Sequence, residues 1–232
     1  MIDTHRIEEF ESKSPLISGL GIMFITLSLF VSNIKAKKPI PNLIISTIVY
    51  FLASFIPFLK LLDSDNHIIT MFSRLGPSFT IVGNSLILEN IFDDLLKLLS
   101  EDDKAVEPST YDYIIILFQS IGYMFYMISC IPPLLNVFMN PEFNIAGNTN
   151  LPSYDSNIGK MYAFSRFCII ICCFLIIINR MLLLINKNMR NKLLVRISRS
   201  FQIIMVGSFV ISAIILSTAT GLGPKKTTKY MA

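Results

Sequence analysis

The sequence predicts an all-α, polytopic transmembrane helical bundle of about six spans, with five spans plus an interfacial helix as the alternative. Three observations lead there. Of 232 residues, 53% are hydrophobic and only 16% charged, whereas a soluble domain is about a quarter charged. Mean hydropathy is +0.60. Four stretches, 14–34, 39–59, 113–141 and 200–224, contain no charged residue, and each reaches the roughly 20 residues that cross a bilayer as helix. None alternates in the manner of β-barrel strands. The expectation is a single transmembrane domain over 1–232, with spans at 14–34, 40–60, 67–88, 113–139, 161–185 and 200–222.

The chain start carries Asp3, Glu8, Glu9 and Glu11. It therefore lacks the basic start and apolar core of a signal peptide, and its single early arginine does not make a mitochondrial presequence. The first span, 14–34, contains Gly19 and Gly21, small residues that let helices approach closely. A tight basic turn, 33–41, leads into the second span.

Segment 67–88 is apolar but interrupted by Arg74 and by Gly76-Pro77. It reads as a span kinked near Pro77, or as a helix lying in the interface with Glu89, Asp93 and Lys97 on its polar face. Arg74, Asn84 and Glu89 are functional candidates because lipid rejects such groups. About 22 Å of helix separates Arg74 from Glu89, so they also suit opposite surfaces. The acids Glu89, Asp93 and Asp94 have a spacing that could hold Mg²⁺ for lipid chemistry, but they read better as a solvated helix face.

The span at 113–139 contains Pro132 and Pro133, which free backbone carbonyls and mark either a kink or a binding site. The loop 140–160 is polar, Asn-rich and punctuated by proline and glycine. The span at 161–185 is flanked by Arg166 and Arg180, both expected to snorkel to the head groups. Between it and the last span lies a basic stretch with Lys187, Arg190, Lys192, Arg196 and Arg199. These are candidate contacts to anionic lipid, and they place that loop at the cytoplasmic surface. The last span carries small-residue pairs at Ser208/Ser212 and Ala213/Ser217. The count of basic residues on the two faces is nearly balanced for six spans and clearer for five.

Cys130, Cys168, Cys172 and Cys173 all lie in apolar stretches and make no metal-ligand spacing. They read as small apolar side chains at helix contacts. The chain has no Trp; Tyr50, Tyr111, Tyr113 and Tyr162 are the expected interfacial aromatics. His5 and His67 have no partners at ligand spacing. There is no nucleophile elbow and no glycine-rich phosphate loop. No catalytic, cofactor-binding or metal residue is therefore expected, no cofactor is implied, and the chain leans away from being an enzyme. The net charge of +4 is too scattered for nucleic acid.

The expected partners are the lipid bilayer and other membrane proteins. The leading functional expectation is a non-catalytic subunit or accessory factor of a membrane complex. The alternative is a small-solute or ion transporter or channel, and a lipid-modifying membrane enzyme comes third. The expected location is an internal eukaryotic membrane such as the endoplasmic reticulum.

Overall fold

The computed structural model describes residues 4–36, 41–61, 109–147, 149 and 151–185. The described residues form an all-helical bundle. Its helices are α1 (Thr4–Lys35), α2 (Pro41–Ala53), α3 (Thr110–Met139) and α4 (Asn157–Ile185). Three of them, α1, α3 and α4, are long and apolar enough to cross a membrane. The expected segments 67–88 and 200–222, with Arg74, Asn84 and Glu89 and the basic stretch Lys187, Arg190, Lys192, Arg196 and Arg199, lie outside the described residues.

Helix α1 begins about ten residues before the apolar window that predicts it. The acids of the early turns do not fray it. Glu8 and Glu11 bond to the far end of α3, so tertiary contacts carry the helix past the apolar stretch. Helix α4 likewise starts four residues earlier than expected, at Asn157. There the Ser156 hydroxyl accepts the Gly159 N–H at 3.0 Å and caps the first turn.

The second expected span is not one helix. Helix α2 ends at Ala53, a turn follows, and residues Ile56–Leu61 form a 3₁₀ helix. Pro57 explains the break. It has no N–H to offer the Ala53 carbonyl four residues back.

Helices α1 and α3 pack antiparallel along their whole length, α4 packs on α3, and α2 leans on α1. The α1–α3 contact is closest where Gly21 meets Gly122. A Cβ on Gly122 would lie 2.6 Å from Ile25 Cγ1 and 2.7 Å from the Gly21 carbonyl oxygen. Phe24 stacks on Phe125 beside this crossing, ring centroids 5.7 Å apart. Around it lies the main core: Ile22, Ile25, Tyr123, Tyr126, Cys130, Ile169, Cys172, Cys173 and Ile176. Three cysteines thus serve as small core residues, as expected.

The interfacial tyrosines divide. Tyr111 and Tyr113 are exposed at the start of α3, but Tyr50 and Tyr162 are buried in apolar clusters. Their positions near span ends were misleading because neighbouring elements cover them.

The loop after α3 is more ordered than its polar composition suggests. The chain runs back on itself through Ile145 N–H to the Pro152 carbonyl and Tyr154 N–H to the Phe143 carbonyl. Ile145, Leu151 and Tyr154 pack with Tyr162 and Ala163 of α4 as a second small core. Gly159 makes room for the loop, since a Cβ there would lie 2.2 Å from the Ser153 carbonyl oxygen.

The glycine crossing supports a direct test. Gly122→Leu should force α1 and α3 apart and lower stability by about 1–3 kcal/mol. Its melting temperature in mild detergent should fall below that of wild type. Leu117→Ala, on the exposed face of α3, should change it little.

Candidate functional site

Polar side chains inside the bundle gather at two levels. At one end of the α1–α3 pair the Lys35 ammonium meets the Asp112 carboxylate. Asp112 stands just ahead of the charge-free stretch 113–139. Its Oδ2 also accepts the Ser109 N–H at 2.9 Å and hydroxyl at 2.7 Å, the reciprocal half of a capping box. Partial burial pushes the Asp112 carboxyl up. The Lys35 ammonium and the Ser109 donors outweigh that and hold it below the usual carboxylate range.

At the other end, Glu11 is fully buried. Its carboxylate accepts from the Asn136 side-chain amide of α3 and from the Tyr154 hydroxyl of the loop. A turn further out, the Asn140 amide donates to Glu8. The residues Glu11 and Lys35 are about 24 residues apart, as are Asp112 and Asn136, which is roughly 36 Å of helix. That matches a hydrocarbon layer of about 30 Å with a polar group just beyond each face.

Just inside the Glu11 level lies a proline layer. Pro15 is four residues into the membrane from Glu11, and Pro132 is four residues in from Asn136. The helices run antiparallel, so the two prolines stand at the same depth, with Pro133 beside them. Both helices continue through them. The prolines leave the carbonyls of Glu11, Ile128 and Ser129 without their helical donors.

Beside this layer is a narrow, half-open cleft lined by Ser14, Pro15, Ser18, Tyr126, Ser129 and Arg166, with room for about one water. Arg166 does not snorkel as expected. It is 4% exposed and turned inward from α4. Its guanidinium lies 4.8 Å from the Tyr162 ring centroid, a cation–π contact. One of its nitrogens is 3.4 Å from the Tyr126 hydroxyl and 4.0 Å from Cys130 Sγ. The close packing of α3 and α4 encloses the side chain before it can reach the head groups. Deeper along α3, the Gln119 side-chain amide is fully buried, and neither of its atoms has a hydrogen-bond partner among the described residues.

Of the sequence-expected site residues, only Pro132 and Pro133 fall within this structure, and both are buried in the proline layer. Sequence reasoning missed Glu11, Asn136, Tyr154 and Gln119. Asn136 and Gln119 carried a usable signal, since each is a side-chain amide inside a charge-free span. Among the described residues no group of His, Cys, Asp and Glu could hold a metal ion. No known protein family, no curated protein and no solved structure matches the chain.

The Glu11 node should behave as one unit. Glu11→Ala removes the acceptor from two buried donors and should lower stability by about 1–3 kcal/mol. Tyr154→Phe should cost less alone, and almost nothing further in the Glu11→Ala background. Thermal melts of the two single variants and the double variant measure that coupling.

Proposed function

We propose that this chain is a non-catalytic subunit or accessory factor of a membrane complex. One observation carries the reading: charged, amide and phenol side chains at both ends of the bundle bond across its elements. Glu11, Asn136, Tyr154, Lys35 and Asp112 all tie one element to another. Outward, the helices present large apolar side chains, including Phe30, Leu52, Phe138, Phe164 and Phe174. Such a body is suited to packing among lipid and partner helices. The reading places it in an internal eukaryotic membrane such as the endoplasmic reticulum, with the 187–199 stretch at the cytoplasmic face.

A second reading, a small-solute or ion transporter or channel, draws support from the three prolines at one depth and from buried Gln119. Broken backbone bonding and buried polar side chains within a span are features of transport pathways.

The antiparallel pairing supports six spans over five. Lys35 and Asp112 meet at one face, so the chain between them leaves and returns to that face. Segment 41–61 descends alongside α1: Thr47 receives the Asn33 amide, and the 3₁₀ helix reaches the depth of Gly19. A second crossing at 67–88 restores the parity. Five spans would make α1 and α3 parallel.

Two measurements test these readings. Purification in mild detergent with quantitative mass spectrometry should recover a second membrane protein in fixed ratio; a lone monodisperse particle would count against the subunit role. For the topology, single cysteines replacing Ala36, Asn66 and Asp103 can be labelled with an impermeant reagent in a background lacking the native four. Ala36→Cys and Asp103→Cys should react from one side and Asn66→Cys from the other. Labelling of all three from one side would reject six spans.

A further inference from the structure

We infer that the cleft between α1, α3 and α4 is a binding site for one water molecule, which bridges Ser18 of α1 and Ser129 of α3 inside the membrane. Register, hydrogen-bond accounting and size each point to it. The register comes first. Glu11 meets Asn136, and seven residues inward from each stand Ser18 and Ser129. The antiparallel pairing therefore sets these two serines at the same depth, about 10 Å of helix inside the Glu11 level. Both are buried, and both line the cleft.

The accounting follows from the bonds these serines already make. The Ser18 hydroxyl donates to the Pro15 carbonyl at 2.7 Å, and the Ser129 hydroxyl donates to the Tyr126 carbonyl at 2.6 Å. A hydroxyl has one proton and two acceptor lone pairs, so both protons are committed to their own helices. What each serine still offers the cleft is an acceptor, and two acceptors cannot bond each other. A water between them supplies two O–H donors, one for each. Its oxygen can in turn accept from Ser14, a buried residue of the α1 wall whose hydroxyl makes no hydrogen bond among the described residues. Three partners of this kind are what a buried water typically has.

Size selects the ligand. The cleft has room for about one water, and a cavity of that size is hydrated when its walls are polar. Arg166 closes the wall from α4, with its guanidinium set over the Tyr162 ring. The site stands between the Glu11–Asn136 node and the Gly21–Gly122 crossing. The water is therefore a further tie between α1 and α3, placed between the contact that sets their register and the one that sets their distance. It also meets the polar demand of the proline layer at the level where Pro133 takes the helical donor from the Ser129 carbonyl.

The test uses the full-length protein in vesicles of perdeuterated phosphatidylcholine, with water itself as the probe in proton-detected solid-state NMR. Wild type should show water cross peaks at Ser14, Ser18 and Ser129. Ser28 is the control. It is fully buried in α1 and makes the same kind of local bond, to the Ile25 carbonyl, but it is not part of the cleft; it should show no such peak. Ser18→Val fills the cleft and removes one acceptor, and should abolish the cross peak at Ser129. Melting in mild detergent gives a second readout that does not depend on the valine variant folding. Ser18→Ala and Ser129→Ala should each lower the melting temperature, and the double variant should fall by clearly less than the sum, because either change alone removes the bridge. Water cross peaks missing at Ser18 and Ser129, equal peaks at Ser28, a Ser129 peak retained in Ser18→Val, or additive melting shifts would each overturn the proposal.

Discussion

The bundle depends on the pairing of α1 with α3, fixed by polar contacts at both ends. Lys35 with Asp112 and Glu11 with Asn136 are separated by the same length of helix on each strand of the pair. A slip of one helical turn would break both at once and draw a charge into lipid, where it is costly. The ends therefore set the register. The glycine crossing between them sets the distance, because Gly21 and Gly122 bring backbone against backbone. Neither device suffices alone: glycine contacts tolerate sliding, and end contacts tolerate separation in the middle. Helix α4 and the 140–156 loop then build on this pair, the loop through the Tyr154 hydroxyl that reaches Glu11.

What was legible in the sequence follows from this division. Charge-free windows mark where lipid forbids charge, so the cores of α1, α3 and α4 could be read directly. Their ends could not, since Glu8 and Glu11 are ordinary helix-surface acids until a partner helix supplies Asn140 and Asn136. The break after Ala53 was available from Pro57, but hydropathy outweighed it in the reading of 40–60 as one span. Arg166 misled for a related reason. Proximity to a span end suggests snorkelling, yet whether a long side chain can reach the surface depends on which neighbour covers its helix face. Tyr162 is misplaced on the same grounds, since the loop that buries it is polar in composition and packs through only a few apolar residues.

The candidate site was half visible. Pro132 and Pro133 stood out because proline is conspicuous within a span. Their meaning changed once Pro15 was found at the same depth on the antiparallel neighbour. No single-helix reading can show this, because matched depth is a property of the register. Gly21 was similarly flagged as a packing residue, but its counterpart Gly122 emerged only from the pairing.

The register also explains why polar chemistry collects at one end of the bundle. Each proline removes a backbone donor, and in lipid the carbonyl left behind must find another partner or a polar environment. Three prolines in one layer concentrate that demand where Ser14, Ser18, Ser129 and Arg166 stand. Close beyond them lies the Glu11 node, and beyond that the head groups. The polar side chains at this end thus lie in successive layers, from Glu8 and Glu11 inward to the guanidinium. At the opposite end, the Lys35–Asp112 pair closes on itself and on the α3 cap. The two ends of the same helix pair are therefore chemically unequal: one is a partly exposed ion pair tied to a helix cap, and the other holds a buried carboxylate and a buried guanidinium.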